Sequence, residues 1–184
     1  MTAPVRSWAA ELCYVWFYKL GDGDRFGSSE AVDAMLRHRF SRVLAMLAPR
    51  PAHEFLGDDH TALAAILLFD QIPRNLFRNS PAAFAHDATA RTIARSLIRT
   101  GADTGFSLKE RQFLYMPLMH SEHILDQQLS LAKFATLPPR YGWRWAVEHH
   151  AAIARFGRFP HRNALLGRQS GAAEKAAIEA GMRW

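Results

Sequence analysis

Histidine, arginine and carboxylate side chains are concentrated in three stretches of this 184-residue chain. The last of them, Arg155-Phe-Gly-Arg-Phe-Pro-His-Arg-Asn163, sets three arginines, a histidine and an amide among aromatic rings. Gly157 and Pro160 both interrupt regular structure, so one helix must end here and another begin, which converges polar groups instead of spreading them round a cylinder. The middle stretch carries His120-Ser-Glu122 after an apolar run, and the first carries Asp70, Gln71, Arg74, Asn75 and Arg78. A planar guanidinium fork suits a carboxylate or phosphate, and a histidine or glutamate poised by burial beside arginines can act as general acid or base. These stretches form one expected site. Proton handling falls to His120, Glu122 and His161. Binding falls to Asp70, Gln71, Arg74, Asn75, Arg78, His149, Arg155, Arg158, Arg162 and Asn163, with Arg74, Arg158 and Arg162 taking the anion.

Other chemistries find less support. His120, Glu122, His149 and His161 are the one set with metal-ligand character, but residues at i and i+2 diverge on a helix and no His-x-x-x-His pair links them, so no metal ligand is assigned. Ser121 has no Gly-x-Ser-x-Gly elbow, and Cys13 lies inside the apolar run Leu12 to Phe17, so nucleophilic catalysis is not favoured. Gly21-Asp-Gly-Asp lacks the Lys-Ser or Lys-Thr of a phosphate loop. The sequence names no cofactor.

The net charge of +6 and a pI near 10 permit an anionic partner. From Pro138 onward, eight basic residues face only Glu148, Glu174 and Glu179. Nucleic acid is not favoured, because the arginines are interleaved with aromatics of core type rather than strung along an exposed face. A single cysteine excludes a disulfide framework within the chain, and with no signal-type apolar region and no membrane-length apolar stretch the expected compartment is the cytoplasm.

To position the three stretches, the chain must be helical nearly throughout. Hydrophobic content of 49% with only 20 Gly and Pro residues is globular, and a chain of this length buries about 70% of its unfolded surface round one core. One domain, residues 1–184, is expected. Residues 7–20 read as a first helix with Ser7 as N-cap. A Gly-Asp-Gly-Asp turn follows, then a helix capped by Ser28 or Ser29 with Val32, Met35, Leu36, Phe40, Val43, Leu44 and Leu47 on one face. Asp58-Asp59 should cap a central third helix from His60 to Phe69, ended by Pro73 through its effect on Ile72. Ser80-Pro81 starts the next, and Ser107-Leu-Lys-Glu110 is a capping box. Residues 118–137 read as a helix with His120 to His123 in its first turns and Leu125, Leu129 and Ala132 inward. Residues 141–156 carry Trp145, His149, Ala152, Ile153 and Phe156 on one stripe, and residues 170–182 form the last helix.

Three blocks in this order, Leu67 to Arg78, Phe113 to Glu122 and Ile153 to Arg168, resemble a bacterial family catalogued as domain of unknown function 924. That resemblance implies an all-α, tetratricopeptide-like array of seven or eight helices packed as antiparallel pairs, and it marks the polar positions named above without supplying an activity. His123 and Ala151 stand where the family tends to place acids, and the link from Ala48 to Gly57 lacks its usual tryptophan. Two functions remain open: a pocket for an anionic small molecule with general acid and base chemistry, or a helical interaction module that takes a peptide and uses the polar cluster only to hold its helices in register.

Overall fold

The computed structural model describes residues 6–182. Helices account for its regular structure, with no strand among the described residues, so the all-α expectation holds. The α-helices are α1 (Ser7–Tyr14), α2 (Asp22–Phe26), α3 (Glu30–Leu47), α4 (Asp59–Ile66), α5 (Ile72–Leu76), α6 (Asp87–Thr100), α7 (Leu108–Met119), α8 (Ile124–Phe134), α9 (Trp143–Phe156) and α10 (Ala172–Glu179). No helix among the described residues is long and apolar enough to cross a membrane.

The centre of the molecule is α4. Asp58 caps it, its carboxylate accepting from the Thr61 N–H at 2.7 Å, worth about 1 kcal/mol. Every residue from Thr61 to Pro73 is buried, as an apolar surface all round requires. Around α4 pack α1, α6 and α7, while α3 lies on α5 and the chain then folds back on itself through α7, α8 and α9. One hydrophobic cluster runs from Leu12 to Ala146, and a small second one joins Ala152, Ile153 and Phe159 to Met182.

Several boundaries differ from the sequence reading. The central helix does not stop at Phe69. It widens into a π turn, Leu67–Gln71, and continues as α5, with Ile72 itself helical at φ −59° and ψ −45°. Pro73 has no N–H for the Phe69 carbonyl, and the wider turn takes up the mismatch that would otherwise break the helix. Asn75 donates to the Gln71 carbonyl at 3.0 Å and so satisfies a main-chain acceptor there. A second π turn, Val15–Lys19, ends the first helix, and buried Arg25 on α2 donates to the carbonyls of Trp16 and Leu20. The Gly-Asp-Gly-Asp stretch is therefore part of a short helix, not a plain turn. Arg6, not Ser7, precedes α1, and Ser80 caps a 3-10 turn, Pro81–Phe84, before α6 begins at Asp87. The Ser29 cap and the Ser107–Glu110 capping box form as read.

The largest difference concerns α8. His120 to His123 are not its first turns; α7 runs through Pro117 to Met119, and these four residues link the two helices. Leu125 is 69% exposed and Ala132 is exposed, whereas Asp126, Gln127, Ser130 and Phe134 face inward. The inward polar groups have work there. Gln127 donates to the carbonyls of Met119 and Ser121 at 2.7 Å, closing the end of α7 as a buried C-terminus demands. On α9, Trp145 is likewise turned out, at 48% exposure, while His149, Ala152 and Ile153 are buried as expected.

Candidate functional site

The π turn places Asp70 at the centre of the polar cluster, entirely shielded from solvent. Its carboxylate accepts from His120 Nδ1 at 2.8 Å and from Gln71 Nε2, and stands 3.2 Å from Arg74 Nη1. Arg74 also donates to the Asp70 carbonyl at 2.5 Å, a bond that ties the guanidinium to the widened turn. Burial pushes the Asp70 carboxyl up, but Arg74 and His120 outweigh it and hold it well below the usual carboxylate range.

His120 is the first residue beyond α7. Burial, assisted by Arg74, outweighs the neighbouring carboxylate and pushes the imidazole below its ordinary pKa. At neutral pH the ring is therefore neutral, and because its Nδ1 faces an ionised carboxylate, Nδ1 carries the proton and Nε2 the lone pair. Nε2 has no hydrogen-bond partner among the described residues, and 10% of the side chain is open. The His149 ring lies 6.2 Å away, its Nδ1 2.8 Å from the Trp145 carbonyl, and burial brings it down to about 3.

Arg162 enters from the 3-10 turn Pro160–Arg162. It is buried between the Phe84 and Phe159 rings, each centroid 4.5 Å from the guanidinium carbon, and its Nη1 donates to the His120 carbonyl at 3.1 Å. The closest carboxylate, Asp87 at 3.8 Å, is already taken by Arg74 in a two-pronged pair of 2.8 and 2.9 Å. Nε of Arg162 is buried without a hydrogen-bond partner among the described residues. Burial, then repulsion from Arg74, lowers its pKa to about 10. Arg162 is thus a buried cation with an incomplete set of acceptors.

The other sequence-predicted residues fall into clasps or lie apart. Glu122 accepts a fork from Arg168 at 2.7 and 2.9 Å and the Phe159 N–H at 2.8 Å. Burial raises its pKa, but these donors outweigh that and keep it ionised. Arg158 makes the same fork with Glu174 at 2.7 and 2.9 Å, and Asn163 Nδ2 joins that carboxylate at 3.2 Å. Both clasps pin the segment after α9, one to the α7–α8 link and one to α10. Arg78 grips Asp33 and Asn75 on the far side of α5. Arg155 is exposed, its guanidinium stacked 4.8 Å from the Phe156 ring centroid. His161 is half-buried beside Phe159 and is lowered to about 4 by burial and by Arg162. The structure thus brings together Asp70, Gln71, Arg74, His120, His149, His161 and Arg162, with Glu122 at the border. It does not bring Asn75, Arg78, Arg155, Arg158 or Asn163 to the same place.

With the histidines neutral, the formal charges cancel: Arg74, Arg162 and Arg168 stand against Asp70, Asp87 and Glu122. The surplus of arginine over acid inferred from sequence is offset chiefly by Asp87, which sequence reading passed over, while Glu174 neutralises Arg158 outside the cluster. Asp87 had a signal, since an acid in the first turn of a helix is favourable and marks that end as a place where charge gathers. Phe84 and Arg168 were also missed. Glu148 pairs with exposed Arg144 at 2.7 Å. The Ser121 hydroxyl donates to Asp126 at 2.7 Å and accepts from Arg91 at 3.1 Å. Among the described residues, no group of three His, Cys, Asp or Glu side chains could hold a metal ion. Two of the better-formed concavities of the surface lie elsewhere, one on α6 and one between α9 and α10.

No match was found among curated proteins. The chain is similar to a solved structure of a protein of unknown function from Agrobacterium tumefaciens, with 36% identity, a TM-score of 0.88, and coverage of 94% of this chain and 97% of that one. The family model described as bacterial protein of unknown function, DUF924, matches residues 12–182. That match takes in every residue of the polar cluster, and the chain belongs to the DUF924 family.

Proposed function

We propose that the chain binds a small anionic molecule, a carboxylate or a phosphate, and moves a proton on it through His120. Arg162 meets the anion with its flat guanidinium, steered by Phe84 and Phe159. Asp70, fixed by Gln71 and Arg74, holds the His120 ring in the tautomer that leaves Nε2 as base, and it favours the imidazolium once Nε2 has taken a proton. His161, half-buried and neutral, is the further proton-handling group beside Arg162. Glu122 is kept ionised by Arg168 and acts as a clasp of this wall.

The observation that carries the reading is the Asp70–His120 pair, a carboxylate with no solvent exposure joined at 2.8 Å to a histidine whose other nitrogen is unengaged. Arg162, whose closest acid belongs to Arg74, supplies the anion-directed cation in the same place.

The reading is tested by thermal-shift screening of small carboxylates and phosphates against the wild type, Arg162→Gln and His120→Asn. A ligand of this site raises the wild-type Tm, fails to raise that of Arg162→Gln, and is turned over by the wild type but not by His120→Asn. Ligand stabilisation that survives Arg162→Gln unchanged places the site elsewhere and sinks the proposal. A fully wild-type turnover rate in His120→Asn removes the proton-transfer role.

A further inference from the structure

Arginine recurs every four residues along α6, at half-buried Arg91 and exposed Arg95 and Arg99, and a groove of about 490 Å³ runs beside the last two. Its lining combines Arg95, Arg99, Thr92 and Ser96 with apolar Ile98 and, from α8, Leu129. Among the described residues, one acid answers this ladder. Asp126 pairs with Arg95, lies 3.5 Å from Arg91 Nε and accepts from Ser121. No carboxylate among the described residues lies within ion-pair distance of Arg99.

We infer that this groove is a docking surface for an acidic amphipathic peptide of a partner protein. Side chains four apart on a helix are separated by about 6 Å along its axis, so two carboxylates at i and i+4 of a helical ligand match Arg99, which has no acid among the described residues, and Arg95, which shares the single charge of Asp126 with Arg91. Apolar side chains at i+3 and i+7 of that ligand then rest on Ile98 and Leu129, in the helix-in-groove manner. Charge complementarity selects the acid, and the apolar floor selects a peptide. A nucleic-acid strand fits less well, because no aromatic ring lines the groove to stack a base. The surface is separate from the His120 site: none of its lining residues touches Asp70, His120 or Arg162.

The test is fluorescence anisotropy with a labelled peptide of about fourteen residues repeating Glu-Ala-Ala-Leu, alongside a lysine-for-glutamate control and a single-stranded thymidine oligonucleotide. Saturable binding of the acidic peptide, weakened roughly tenfold or more by Arg99→Glu, partly by Arg99→Gln and by added salt, supports the surface. Arg162→Gln should leave that binding unchanged. Arg99 is exposed, so both substitutions are compatible with the fold. No binding, equal affinity in Arg99→Glu, or tighter binding of the oligonucleotide in competition overturns the proposal.

Discussion

Asp70→Asn changes no shape and removes one charge from a position with no solvent exposure. The amide oxygen can still accept from His120 Nδ1, now 2.8 Å from the carboxylate. The amide nitrogen then has to face Gln71 Nε2 or Arg74 Nη1, both donors, and one of them is left unsatisfied at about 1–3 kcal/mol. Breaking a buried pair costs about 3–5 kcal/mol when the surviving charge is stranded, but Arg74 keeps both oxygens of Asp87. The expected loss is therefore near the lower bound, about 3 kcal/mol, against a total stability on the order of 5–15 kcal/mol. The control is Asp33→Asn, whose partner Arg78 is 37% exposed and which should lose only about 1 kcal/mol after solvent screening. Urea unfolding at neutral pH reads both differences. The sign with pH is fixed by the direction of the Asp70 shift. Its folded pKa is lowered, so its contribution is whole above the unfolded value near 4 and is lost as pH falls through the folded one. The gap between wild type and Asp70→Asn should therefore be constant from pH 7 to about 5 and narrow in stronger acid. A change within about 0.5 kcal/mol of zero, the size of an ordinary surface substitution, would show that Asp70 is not the post on which the cluster hangs.

Other outcomes follow from the same geometry. His149 is neutral in the fold with a pKa of about 3, so its contribution is whole above its unfolded value near 6.5 and is lost towards pH 3, amounting to about 3 kcal/mol by pH 4. His149→Phe should flatten the acid limb of a stability-versus-pH curve between those values, and an unaltered limb would contradict the assignment. Gln127→Leu leaves the Met119 and Ser121 carbonyls without their side-chain donor and should cost about 2–3 kcal/mol in urea unfolding, well above a surface change. Burial pushes the Cys13 thiol up to about 12, so the native protein should react with a thiol reagent at pH 8 far more slowly than the urea-unfolded chain.

Sequence alone carried the helical architecture because apolar periodicity is a local property: α3 shows it plainly, and Val32 to Leu47 pack as their spacing says. The inward phase of α8 was not legible. Its apolar side chains suggest Leu125 as core, yet tertiary demand turns Asp126 and Gln127 inward to serve arginines and carbonyls from other elements. The π turn at Asp70 was hidden for a similar reason. Pro73 predicts a stop, and only packing from all sides shows that widening the helix costs less than ending it. The site itself was half legible. Residue type located Asp70, His120 and Arg162, but which arginine keeps an acid to itself is decided by neighbours distant in sequence. Asp87 and Glu174 settle the fates of Arg74 and Arg158, and neither sits next to the arginine it holds.

The state of His120 is the centre of the account, and nitrogen-resolved NMR of the labelled histidines observes it directly. The expected spectrum places the His120 proton on Nδ1, with a neutral ring at pH 7, and shows its Nε2 signal moving when a carboxylate or phosphate from the ligand screen is added, but not when the same anion is added to Arg162→Gln. A charged imidazolium at pH 7, a proton on Nε2 instead, or an Nε2 signal indifferent to every anion that stabilises the protein would contradict it.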